Sequence, residues 1–301
     1  SAYIPWGTKS QAPGTPHARE GEASRSSSVG SPTPAGNTKG SALMRARSRT
    51  GEPIREEKSM TLAEVGRHDS FLRFGGLCAI VGAVFSVAAG IGFRNLTNQY
   101  NAKDILEILA ARSPITWSLT QLGFIAGTLL WVFALVALSW TLIEGRSWAL
   151  GRLGAAAVII GGAIHILYSS VSGYGFTTLA QSWRDPSTDA AALVVVGDAL
   201  RRVLGGGWAA VLMLFHGVPF VLYGLAVAYS PRYPSWLGWL GVVGGAGSIL
   251  TGVALLFGKY LIAMWLPVVF AVVISVWMVL VGMRMWTHAR ELDVVEARTA
   301  S

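Results

Sequence analysis

Two histidines, His165 and His216, stand inside long apolar runs of this chain. A group that can ionise is costly in lipid, so both are candidates for chemistry. Counted along their runs at about 1.5 Å per residue, they fall at a similar depth in a hydrocarbon core about 30 Å thick. Two imidazoles at one depth on consecutive antiparallel helices can ligate a b-type haem from its two faces, or hold a metal ion. Gly161, Gly162 and Gly217 beside them would leave room for a flat macrocycle, with Tyr168 and Trp208 packed on its edge. A simpler reading expects no cofactor: each imidazole makes a hydrogen bond to a carbonyl or to a hydroxyl such as Tyr168, Ser169 or Tyr223.

Few other side chains in the apolar runs can bind or react. Gln121, Tyr168 and Ser172 are the possible polar binding residues, with Ser118 and Thr120 beside Gln121; helix-to-helix hydrogen bonding is the competing use of such groups. Ser170-Val171-Ser172-Gly173 is superficially similar to the serine motif of rhomboid-type intramembrane proteases. The first glycine of that motif is missing, and the serine and histidine are on the wrong spans. Ser172-Gly173 therefore reads as a place where helices approach closely. No Asp or Glu interrupts any of the runs, which counts against a proton- or sodium-coupled carrier. With no complete catalytic set and no metal-ligand motif, the sequence points to a non-enzymatic membrane protein: a small-molecule or lipid-binding component, or a subunit of a membrane complex. The alternative is an electron carrier or redox enzyme holding b-type haem between His165 and His216.

The elements that must position these groups are transmembrane helices. Apolar residues make up 52% of the chain and charged residues 13%, and the apolar runs exceed the roughly 18 residues that mark a span, which excludes a soluble globule. The expected fold is an all-α, polytopic transmembrane bundle with spans at about Phe71–Phe93, Ile115–Ile143, Leu153–Leu179, Trp208–Tyr229, Trp236–Phe257 and Leu261–Val281. Gly258-Lys259-Tyr260 reads as a tight turn between the last two. Trp236-Leu237-Gly238-Trp239-Leu240-Gly241 follows Pro231, Arg232 and Pro234, and similar start signals occur at Trp148–Gly154 and Leu72–Gly75. Aligning Gly75, Gly154 and Gly241 gives a repeat of roughly 80 residues, hence three linked helical hairpins. Seven residues beyond each glycine is another small residue, Gly82, Gly161 or Ser248, so each odd-numbered span carries a smooth stripe for a neighbouring backbone.

Two connections carry amphipathic stretches expected to form outer surface helices. One has Ile105, Ile108 and Leu109 on one face; the other has Leu193, Val196, Leu200, Val203 and Leu204. Trp residues gather near span ends as an interfacial belt. Cys78 is the only cysteine and lies in the first run, where it packs as a small residue.

Residues 1–69 read as a disordered basic tail, rich in Ser, Gly, Pro and charge, and residues 287–301 as a polar C-terminal tail around the six-span domain at 70–286. Met60 opens an ordinary membrane-protein start, so residues 1–59 read as an upstream extension. The net charge is +8, and a basic tail beside a bilayer favours anionic lipid headgroups; the expected partners are membrane lipids and other membrane subunits, and no nucleic acid. Near the span ends, Arg55, Lys58, Arg67, Arg73, Arg146, Arg152, Arg232, Arg284, Arg290 and Arg298 fall on one side. Arg94, Lys103, Arg112, Arg184, Arg201, Arg202 and Lys259 fall on the other. This bias places both termini in the cytoplasm. Six spans, long outer connections and the Tyr233–Gly241 start together resemble a group of bacterial six-helix integral membrane proteins of unknown function. The resemblance covers about Leu72 to Trp286; it implies topology and a bacterial inner membrane, and no activity.

Overall fold

A computed structural model describes residues 62–97, 101–258 and 260–300. Most of the expected basic tail and the middle of the Gly258-Lys259-Tyr260 turn lie outside the described residues; Gly258 itself has a φ of 70°, a left-handed conformation open to glycine. The described chain is helical: α1 (Leu62–Thr97), α2 (Ala102–Arg112), α3 (Pro114–Thr141), α4 (Gly145–Trp183), α5 (Ala190–Leu214), α6 (Val218–Ala228), α7 (Ser235–Leu256) and α8 (Tyr260–Ala300). Six stretches are long and apolar enough to cross a membrane: Ser70–Gly92, Ile115–Thr141, Gly145–Trp183, Ala190–Ala228, Ser235–Leu256 and Leu266–His288. The protein is a multi-pass membrane protein with an all-helical bundle, as the apolar runs require.

The spans neighbour one another in chain order, and α8 returns against α1. Each glycine of the repeat receives the span that follows it. A Cβ on Gly75 would lie 2.4 Å from the Ala137 side chain and one on Gly82 2.5 Å from the Trp131 ring. On Gly154 it would meet Tyr223 at 2.9 Å, and on Gly241 Trp277 at 2.9 Å. Without a hydrophobic force between helices in lipid, such close packing and hydrogen bonds between helices hold the pairs together. Tyr223 donates to Leu135 O at 2.7 Å and Trp277 Nε1 to Leu237 O at 2.8 Å.

The second expected surface helix does not exist as a separate element. Leu193 to Leu204 is the first half of α5, which runs unbroken through Gly205-Gly206-Gly207 toward the bilayer. At about 1.5 Å per residue, the 39 residues of α4 far exceed a 30 Å core, so α4 and α5 project beyond it together. Their apolar stripe is filled by protein: Leu204 is buried, Leu200 packs on Gly175 and Gly197 packs on Ala102, while Val196 and Val203 are exposed. The first expected surface helix, α2, is present and sits against this projection with Ala102, Ile105, Leu106 and Leu109 buried. Leu106 completes its inner face, and Ile108, half-buried, packs at the edge of the same cluster. Asn101 caps its start by accepting from Asp104 N at 2.8 Å. The Arg184 guanidinium donates to Ala110 O near its end through Nε and Nη2, where a cation suits the helix dipole. Helix α8 extends to Ala300, so the C-terminal residues expected as a tail continue the last helix.

Candidate functional site

The two histidines meet. His165 projects from the middle of α4 and is 3% exposed. His216 lies between α5 and α6, where the chain breaks its helix over Phe215, His216 and Gly217. The break has a local cause. Pro219 lacks an N–H and cannot serve the carbonyl four residues before it, and the Phe215 and His216 amides both donate to Val211 O, at 2.9 and 3.2 Å. Gly217 lets this segment pack closely, since a Cβ there would lie 2.4 Å from Ile249 and from Met213 O. The imidazole centroids are 5.4 Å apart with planes at 64°.

His165 Nδ1 is 2.9 Å from Thr128 Oγ1 on α3. The hydroxyl partner therefore comes from the neighbouring helix, and not from Tyr168, Ser169 or Tyr223 as the sequence suggested. His165 Nε2 and His216 Nδ1 are both buried with no hydrogen-bond partner. Aromatic rings enclose the pair: Phe215 at 5.0 Å, Phe124 at 5.8 Å and Trp208 at 6.3 Å from His165, and Trp131 at 6.1 Å from His216. Tyr168 lies on Trp208 at 5.5 Å and reaches to 6.5 Å from His165.

From His165 a polar seam runs along the antiparallel contact of α3 and α4 toward the α2 end. Ser169, one turn on, is fully buried and its hydroxyl has no partner. Gln121 packs against Gly173, is 2% exposed, and has neither amide atom paired. Beyond it Ser118 and Thr177 hydroxyls pair at 2.8 Å. Ser172 belongs to this seam through its backbone: its carbonyl accepts from Trp117 Nε1 at 2.9 Å. On the other side of the histidines the core turns apolar, with Leu135, Leu138, Val158, Phe220 and Tyr223 in one cluster, so the seam is blind at that end.

The site does not fit a haem. The room that Gly161, Gly162 and Gly217 promised is occupied by protein: a Cβ on Gly161 would lie 2.2 Å from Leu214 O, and one on Gly162 2.8 Å from Val132. The rings around the pair stand where a macrocycle would lie. No group of three or more His, Cys, Asp or Glu able to hold a metal occurs among the described residues. The arrangement suits hydrogen bonding to a neutral molecule: unpaired donors and acceptors in a row, in an aromatic wall. Thr128 and Phe124 were not singled out from sequence, and Ser169 was considered only as a hydrogen-bond partner for a histidine; each takes its place here through the facing of α3, α4 and the α5–α6 break. The chain matches no protein-family model, no curated protein and no solved structure, so its function must be argued from this site.

Proposed function

We propose that the protein is a non-enzymatic membrane component that binds a small, uncharged amphiphile, with the polar head of the ligand in the seam between α3, α4 and the α5–α6 break. The observation that carries this is the set of buried polar atoms without partners, Gln121 Oε1 and Nε2, Ser169 Oγ, His165 Nε2 and His216 Nδ1. In a bilayer an unpaired polar group costs several kcal/mol, so a row of them argues for something that pairs with them. Aromatic walls favour a partner with an apolar body. The apolar core at one end of the seam favours binding over conduction. The reading includes membrane lipids as neighbours and ligand source, a bacterial inner membrane and cytoplasmic termini, the last resting on the distribution of Lys and Arg.

The test is native mass spectrometry of the protein purified in mild detergent. We expect a bound small molecule of defined mass, retained by the wild type and lost from both Gln121→Leu and His165→Leu, with no stoichiometric protein partner. A stable protein partner without a bound molecule would instead identify a subunit of a complex.

A further inference from the structure

At the end of the bundle opposite α2, a separate pocket of about 220 Å³ opens between the start of α7 and the end of the last span, lined by Trp236, Leu237, Leu280, Met283, Arg284 and Thr287. We propose that this pocket binds the phosphate of one anionic phospholipid, with the Arg284 guanidinium as its partner and the acyl chains along Leu280 and Met283.

Position and chemistry both point to a lipid. Trp236 is the second residue of its span, and Arg284 and Thr287 lie in the last turns of the span that ends at His288, so the pocket sits at headgroup depth, where Trp and Arg anchor helices. Arg284 is exposed, and no carboxylate among the described residues pairs with it. Its planar fork matches two oxygens of a phosphate. The opposite side of the pocket is apolar: Met283 and Trp236 are half exposed, as acyl chains require, whereas a free phosphate would find no use for them. The floor is fixed by Leu237, which is buried and whose carbonyl accepts from Trp277 Nε1 at 2.8 Å. The cation and the apolar side chains stand side by side on this fixed floor, which suits a molecule with a charged head and apolar chains. A zwitterionic choline headgroup would bring its ammonium toward Arg284; a phosphatidylglycerol headgroup would not.

The experiment uses the full chain in nanodiscs of phosphatidylcholine with one lipid in five replaced by phosphatidylglycerol, followed by native mass spectrometry of the lipid retained. Wild-type protein should keep phosphatidylglycerol in excess of its share. Arg284→Gln should lower that enrichment about tenfold, the loss of one charge-assisted contact, while Arg284→Lys keeps part of it and Arg152→Gln, a cation elsewhere, keeps all. Inorganic phosphate added in solution should not displace the lipid. Equal retention of the two lipids by the wild type, or an enrichment unchanged in Arg284→Gln, would overturn the proposal. So would displacement by inorganic phosphate, which would mark a site for the free ion.

Discussion

His165 and His216 stand with ring centroids 5.4 Å apart although 51 positions separate them in the chain, one on a continuous helix and the other on a break between two. A break in a membrane helix is tolerated where its backbone is buried in protein or lines a cavity. Here it turns the partly buried imidazole toward the buried one.

Among the described residues the Thr128 hydroxyl is the one hydrogen-bond partner of the His165 ring. Thr128→Val should cost about 0.5–2 kcal/mol, the range of hydrogen bonds between membrane helices. Reversible unfolding of the single variants and of Thr128→Val with His165→Leu gives the coupling between them. Additive effects would mean the contact contributes nothing.

Two glycine substitutions should act in opposite directions. A Cβ on Gly161 would meet Leu214 O at 2.2 Å and backbone atoms around it, which cannot swing away as a side chain can. Gly161→Val should therefore destabilise by more than about 4 kcal/mol or prevent folding. Gly206 is exposed with nothing within reach of a Cβ, so Gly206→Ala should stabilise by up to about 1 kcal/mol through helix propensity alone. Thermal stability in detergent reads both.

Tyr233 lies between α6 and α7 with its hydroxyl 2.9 Å from Thr141 Oγ1. Burial pushes the phenol up, against the opposing effects of the Thr141 hydrogen bond and the Arg232 charge. The folded state thus holds this proton more tightly than the unfolded state. Its contribution is complete below the ordinary tyrosine value of about 10 and is lost as pH rises through the higher folded value. Stability measured from pH 8 upward should fall for the wild type and fall less steeply for Tyr233→Phe.

Ser187, in the α4–α5 connection, and Ser235, at the start of α7, are both exposed and lie at opposite ends of the bundle. Cys78 is buried and should remain silent to polar reagents. In intact cells, Ser187→Cys should react with an impermeant maleimide and Ser235→Cys only after permeabilisation. Reaction of both from one side would refute this topology.

What the sequence determined by itself was the number of crossings and the pairing of spans. Uninterrupted apolar runs leave the backbone no partner but itself, which forces helices, and the recurring Gly75, Gly154 and Gly241 are the close-contact positions of the three hairpins. That His165 and His216 lie at a similar depth was legible in the same runs, whereas their meeting at 5.4 Å came only with the packing of the helices. Three other things were decided only in the tertiary structure. The stretch from Leu193 to Leu204 has a surface helix's periodicity, but α2 and α4 cover part of its stripe, so it continues into the span. The space beside Gly161 and Gly162 is filled by Leu214, Phe215 and Val132 of the neighbouring segments. The polar seam of Thr128, Ser169 and Gln121 exists because α3 and α4 face each other in one register, and single-helix periodicity carries no information about which faces of two helices meet.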